Sequence, residues 1–234
     1  RDSSYLIPSA DGERIYAVGE DAGKSSTANA IKFDKEQQKL TLLNSQLTDG
    51  GAPCYITLSP SGKFVLTANY MGGSITVFPL DKDGKLNSGT RLISFTGSSL
   101  DKERQTQPHL HCIEFTPDHK YLLASDLGTD QIHVFPVSEN VTDGVSHSLL
   151  NESGESDIKV EPGSGPRHIC FHPNQKFAYL INEISGKVIA FSYDKGKLNA
   201  IQYIEADTVG AKGSGDIHLS LIHISEPTRR TPIS

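Results

Sequence analysis

Ser59-Pro60-Ser61-Gly62-Lys63-Phe64 opens an apolar run that ends in the polar pair Asn69-Tyr70. Thr116-Pro117-Asp118-His119-Lys120-Tyr121 leads in the same way to Asp126-Leu127, and His172-Pro173-Asn174-Gln175-Lys176-Phe177 leads to Asn182-Glu183. A weaker copy, Ala10-Asp11-Gly12-Glu13-Arg14-Ile15, leads to Glu20-Asp21. Each copy has apolar residues on both sides of its turn residues, the mark of two strands joined by a hairpin. The markers Ile15, Phe64, Tyr121 and Phe177 are 49, 57 and 56 residues apart. A period of that size belongs to β-propellers and related arrays.

Outward from each turn, no stretch keeps a helical period. In the copy around Pro173, apolar segments run from Ile169 to Phe171, Phe177 to Ile181 and Val188 to Phe191. A more variable fourth segment follows Gly196-Lys197-Leu198, matched by Gly84-Lys85-Leu86 and loosely by Gln38-Lys39-Leu40. Four antiparallel strands per copy make one propeller blade, whose two faces are both covered by neighbours. Coverage on both faces explains strands that are apolar almost throughout. The expected fold is therefore all-β, a β-propeller of four-stranded antiparallel blades, with about four blades in residues 1–218; a solenoid is the main competitor.

An open stack of blades leaves two apolar faces unpaired, so the parent protein is expected to be longer. Asp216-Ile217-His218-Leu219-Ser220 resembles the first strand of a fifth copy, but Leu221 to Arg230 fits no part of the repeat. From Leu219 onward the chain resembles translated transposase-adapter sequence, so residues 219–234 are expected to be a non-native tail.

The 234 residues are 36% hydrophobic with 21 glycines and 12 prolines, a globular and turn-rich composition. A net charge of -6 without a basic cluster argues against nucleic acid, which needs concentrated positive surface. An anionic small molecule could still bind at one local arginine. Cys54, Cys112 and Cys170 are too few for a disulfide framework, lack a CxxC spacing, and read as buried thiols. No apolar run approaches the roughly 18 residues of a membrane helix, so no membrane partner is expected. Any signal peptide would lie upstream of Arg1; the cytoplasm is the expected compartment, with the periplasm or secretion open.

Counting from the turn proline, the residue six before it is Cys54, His111 or Arg167, and the residue ten after it is Tyr70, Leu127 or Glu183. In a tight hairpin, residues equidistant from the turn face each other across the strands. Arg167 is thus expected opposite Glu183, Cys54 opposite Tyr70 and His111 opposite Leu127, all at one rim near the axis. An Arg/Glu pair is more often a solvated ion pair of small energetic value. His109-x-His111 could bind metal, yet is more often a turn-edge feature, and no third ligand has suitable spacing. His168 is expected on the other side of its strand, packed between blades. Gly163-Ser164-Gly165 and Gly213-Ser214-Gly215 precede no helix, so they read as turns entering a blade and not as phosphate loops.

Gly165-Pro166-Arg167-His168-Ile169, then Phe171-His172-Pro173-Asn174 and Asn182-Glu183, resembles the seven-bladed propeller lactonase family, which includes bacterial propeller-type 6-phosphogluconolactonases and is related to fungal carboxymuconate-lactonizing enzymes. Ala68-Asn69-Tyr70, His111 and Asp216-Ile217-His218 match further. The resemblance implies a polar axial cleft, a small anionic sugar lactone as partner, no cofactor, and His111, Arg167 and Glu183 as catalytic positions. It puts Asn69, Tyr70, His109, His168, Asn182 and His218 in substrate-binding positions. A further arginine would come from sequence beyond this chain. Three activities compete at this level: hydrolysis of a sugar lactone such as 6-phosphogluconolactone, muconate-type lactone formation, and a noncatalytic binding scaffold. In the hydrolytic scheme Glu183 or His111 is the base and Arg167 binds an anion or the oxyanion.

Overall fold

A computed structural model describes residues 3–21, 25–87, 91–138, 149–151, 157–207, 210 and 213–219; of the expected tail, only Leu219 falls among these. The strands form four four-stranded antiparallel sheets, each built from strands consecutive in sequence. Blade 1 holds β1 (Leu6–Pro8), β2 (Arg14–Gly19), β3 (Thr27–Asp34) and β4 (Lys39–Leu47). Blade 2 holds β5 (Pro53–Leu58), β6 (Phe64–Asn69), β7 (Ser74–Pro79) and β8 (Arg91–Ser94). Blade 3 holds β9 (Leu110–Phe115), β10 (Tyr121–Asp126), β11 (Gln131–Pro136) and the short β12 (Ile158–Lys159). Blade 4 holds β13 (Pro166–Phe171), β14 (Phe177–Asn182), β15 (Lys187–Asp194) and β16 (Lys197–Glu205). No helix among the described residues is long and apolar enough to cross a membrane.

Each turn needs one residue in the left-handed region, and it falls two places after the turn proline or its equivalent. Gly12, Gly62, His119 and Gln175 have φ of 67°, 69°, 59° and 62°. Their N–H groups donate to Ser9, Ser59, Thr116 and His172 carbonyls, each at 2.8 Å. Glycine takes that conformation without a Cβ penalty, which is why two of the copies carry it.

The first strands of successive blades, β1, β5, β9 and β13, pack against one another and so line the axis. β6 and β7 are buried along their whole length, while the outer strands β4 and β16 are largely exposed. Leu66 and Val77 of blade 2, Leu123 and Val134 of blade 3, and Leu180 and Phe191 of blade 4 share one core. Tyr16 and Val18 of blade 1 join Ile56, Val65 and Phe78 of blade 2 in another. Each such large apolar side chain contributes about 1.5–3 kcal/mol on burial, so interblade packing dominates the fold's stability. The cysteines are free thiols; Cys112 is buried, whereas Cys54 and Cys170 are only half-buried.

The hairpin register departs from simple pairing at the rim. Pro53 pairs with Asn69 but Tyr55 with Ala68; Leu110 pairs with Asp126 but Cys112 with Ser125; Pro166 pairs with Asn182 but Ile169 with Leu180. Cys54, His111 and Arg167 therefore sit in β-bulges, each an extra residue that the partner strand does not match. Tyr70, Leu127 and Glu183 instead donate their N–H groups to the carbonyls of Ala52, His109 and Gly165, at 2.9, 3.0 and 2.8 Å. Glu183 consequently faces Gly165 across the backbone, and Arg167 meets it only through its side chain. The bulge changes the residue-by-residue pairing without moving the rim.

Candidate active site

Six residues before each turn proline, or before Ala10 in blade 1, stand Ser4, Cys54, His111 and Arg167. All four line one cavity of about 520 Å³, together with Tyr5, Glu20, His168, Gly215 and Asp216. Residues 4, 54, 111 and 167 meet there because four blades present the same end of their first strand to one axis. A groove of about 580 Å³ lies at the opposite, turn end of blades 1 and 2, where Ser9, Asp11, Pro60 and Gly62 line it. It touches none of the axial groups, so the chemistry belongs to the smaller axial cavity.

Glu183 adjoins the cavity through Arg167 and His111. Arg167 Nε donates to Glu183 Oε2 at 2.8 Å, and Arg104 Nη2 donates to Oε1 at 2.5 Å. Burial pushes the Glu183 carboxyl up, but the Arg104 hydrogen bond and the surrounding positive charge outweigh it and hold the group below the usual carboxylate range. His111 Nε2 lies 3.8 Å from Oε2. Burial, then the adjacent Arg167 charge, lowers the His111 imidazole to about 3, so it is neutral and its contact with Glu183 is a polar one, not an ion pair. Cys54 Sγ is 3.8 Å from His111 Nδ1 and donates toward the Leu110 carbonyl at 3.5 Å. Burial pushes that thiol up to about 12, which keeps it protonated and a poor nucleophile.

Tyr70 stacks on His109 with ring centroids 4.3 Å apart and meets His111 edge-on at 5.6 Å. Its hydroxyl accepts from Arg104 Nη2 at 3.3 Å. His109 is fixed twice: its backbone N–H donates to Asp126 Oδ1 at 2.8 Å, and its Nδ1 contacts the Tyr70 carbonyl at 2.9 Å. His168 is not merely packed between blades, because the bulge brings its ring to 5.2 Å from that of His111. Its Nδ1 bonds Asp216 at 2.6 Å, while its Nε2 has no partner among the described residues. An adjoining chamber of about 330 Å³ is lined by Tyr5, Tyr55, Glu114, His168, Asp216 and His218. Burial pushes the Glu114 carboxyl up to about 7, where the Tyr55 hydroxyl donates to it at 3.2 Å. His218 is 77% exposed and bonds Asp216 at 2.8 Å.

Asn69 and Asn182 do not reach the cavity. Both are fully buried; Asn69 Nδ2 bonds Ser74 and Thr76, and Asn182 Nδ2 donates to the Lys187 carbonyl. Their side-chain amides tie together the strands of their own hairpins below the rim. Arg104 is the site residue that the repeat does not disclose. It lies in the connection between blades 2 and 3, outside the repeated positions, so the period carries no signal for it. Among the described residues no group of three His, Cys, Asp or Glu side chains is arranged to hold a metal.

A family model described as lactonase, seven-bladed β-propeller, matches residues 1–229. A 6-phosphogluconolactonase of Bacillus subtilis strain 168 is 36% identical over 230 residues, covering 97% of this chain and 61% of the relative. The crystal structure of a candidate 6-phosphogluconolactonase from Bacteroides fragilis superposes with a TM-score of 0.88 at 56% identity, covering 93% of this chain and 60% of that one. A periplasmic gluconolactonase of Pseudomonas aeruginosa gives 0.85 at 30% identity, with 94% and 62% covered. The chain thus spans about three-fifths of the length of these relatives.

Proposed function

The chain belongs to the seven-bladed β-propeller lactonase family, and from that premise we propose that the full-length protein hydrolyses a sugar lactone, 6-phosphoglucono-δ-lactone, to 6-phosphogluconate. The observation that carries the reading is a buried-edge carboxylate, Glu183, gripped by two guanidinium groups beside a neutral imidazole at the propeller axis. Glu183 takes a proton from a water as that water's oxygen bonds to the lactone carbonyl carbon. Arg167 uses only Nε on Glu183, so its two terminal nitrogens serve the developing oxyanion, where preorganised positive charge counts most. Neutral His111 orients the water without adding charge. The ring C–O bond then breaks, and the leaving alkoxide receives the proton from Glu183. Positions His109, Tyr70 and His168 shape the pocket around these groups.

A phosphorylated substrate would favour the cytoplasm, since a doubly charged ester does not cross a membrane unaided; an unphosphorylated lactone would be compatible with the periplasm. The test is proton release on adding fresh lactone to the full-length protein. Glu183→Gln and Arg167→Ala are each expected to lower kcat by about 10²–10⁴-fold, the range for loss of a positioned acid-base or oxyanion group. Turnover at the unsubstituted rate in both variants would end the assignment.

A further inference from the structure

Arg104 presents a chemical puzzle. In the arrangement observed, both oxygens of Glu183 are bonded to guanidinium groups, and a carboxylate so held is a weak base. One oxygen has to be released before it can accept a proton from water. The two partners differ in what could release them. Arg167 comes from a bulge inside β13 and its side chain is 21% exposed, whereas the Arg104 side chain, carried by the connection between blades 2 and 3, is 46% exposed.

The connection that carries Arg104 is anchored well enough to aim it. Gln105 is fully buried and donates Nε2 to the Leu127 carbonyl at 2.9 Å. Asp101 Oδ1 accepts from the N–H groups of Glu103 and Arg104 at 2.9 and 3.0 Å. Ser99 Oγ donates to Asp130 at 2.5 Å, and the same carboxylate accepts from Gly163 and Gly165 at 2.7 Å each, tying this connection to the turn that enters β13. The backbone is fixed, while the side chain, held only through Nη2, is nearly half exposed. Both side-chain contacts of Arg104 use Nη2, leaving Nε and Nη1 without a partner among the described residues. A guanidinium offers donors in a planar fork that fits a phosphate bidentately.

We propose that Arg104 is the residue that reads the anionic substituent of the substrate: a phosphate on the carbon chain of the lactone draws the guanidinium from Glu183 Oε1 to itself, and so selects phosphorylated lactones while freeing the base. The inference rests on the lactonase reading and sharpens it. Two guanidinium groups face one carboxylate here, so an incoming dianion finds a positive excess. A neutral lactone offers Arg104 no competing anion and leaves Glu183 fully occupied. The carboxylates of Glu20 and Asp216, which line the axial cavity, disfavour placing the phosphate there and favour the Arg104 side.

The experiment compares 6-phosphoglucono-δ-lactone with glucono-δ-lactone in the full-length protein, in Arg104→Gln and in Arg104→Lys. Arg104→Gln is expected to reduce the preference for the phosphorylated lactone in kcat/KM by about 10–100-fold, the worth of charge-assisted hydrogen bonds. Arg104→Lys, which keeps the charge and loses the fork, is expected to restore part of that preference. A fall of equal size on both lactones would overturn the proposal, since it would make Arg104 only a support for Glu183. Calorimetric binding of 6-phosphogluconate against gluconate separates this from the function itself. A protein that turns over neither lactone sinks the hydrolase reading, yet a binding preference that shrinks about tenfold in Arg104→Gln still carries the role of Arg104, and an unaltered preference overturns it.

Discussion

Charge state at single residues follows from who wins between burial and partners. Glu183 and His111 are both withdrawn from water; burial pushes the acid up but its arginine partners keep it ionised, whereas burial itself, reinforced by the Arg167 charge, keeps the imidazole neutral. His133, away from the axis, goes the other way. Burial favours its neutral form, but hydrogen bonds to Asp126 and Asp157 raise it to about 9, with contacts of 3.4 and 2.7 Å. The folded state then holds a proton that the unfolded chain releases above its ordinary value of 6.5. This contribution is complete below that value and is lost as pH rises through about 9. Across that window it is expected to remove about 2–3 kcal/mol of stability. Asp126 also holds the His109 N–H, so the same network supports the stack under Tyr70. His133→Asn should be less stable at pH 6 and lose less between pH 6 and 9.5 in chemical denaturation. Parallel slopes for the variant and the unsubstituted protein would remove His133 as the cause.

At the scale of the element, the hairpin was readable from sequence because turn chemistry and apolar runs recur together. Each of the hairpins of blades 2, 3 and 4 nevertheless carries one residue more on its first strand than on its second. Cys54, His111 and Arg167 are bulged, and nothing in an alternation of apolar residues announces an extra one, because strands buried on both faces alternate weakly. The same weakness hid the fate of Asn69 and Asn182: a polar residue at a strand end reads as rim whether it faces the axis or caps the hairpin from inside. The turns themselves give a quantitative check. Gln175 has φ of 62° with an exposed side chain, where Gly62 has 69°. A left-handed conformation costs a non-glycine residue roughly 1–2 kcal/mol, while glycine's extra unfolded-state freedom costs about 0.5–1. Gln175→Gly is therefore expected to stabilise by up to about 1 kcal/mol, and Gly62→Ala, where nothing lies within 4 Å of the added Cβ, to destabilise by about as much through backbone strain alone. Denaturant midpoints that move in the reverse sense would refute the shared turn geometry.

For the molecule as a whole, repetition made the fold legible and also limited what could be seen of the site. Ser4, Cys54, His111 and Arg167 share one repeat position, so their meeting at the axis follows from the period once the first strand is innermost. Arg104 lies in a connection that no other copy repeats, and only the folded backbone brings it to Glu183. Stability is distributed by the same logic, since each blade packs on its neighbours and the total is close to a sum of nearest-neighbour terms. Leu66 is fully buried in the core shared by blades 2, 3 and 4, whereas Leu42 on β4 is 60% exposed. Leu66→Ala is expected to cost about 2–5 kcal/mol, cavity included, and Leu42→Ala less than about 0.5 kcal/mol. The loss should also spread unevenly. In hydrogen exchange, Leu66→Ala should speed opening in blade 2 most, in blades 1 and 3 next and in blade 4 least, because coupling decays one interface at a time. Faster exchange confined to blade 2 would mean that the blades fold as separate units, and an equal rise in all four would mean one indivisible core; either pattern contradicts a stack held together by its successive interfaces.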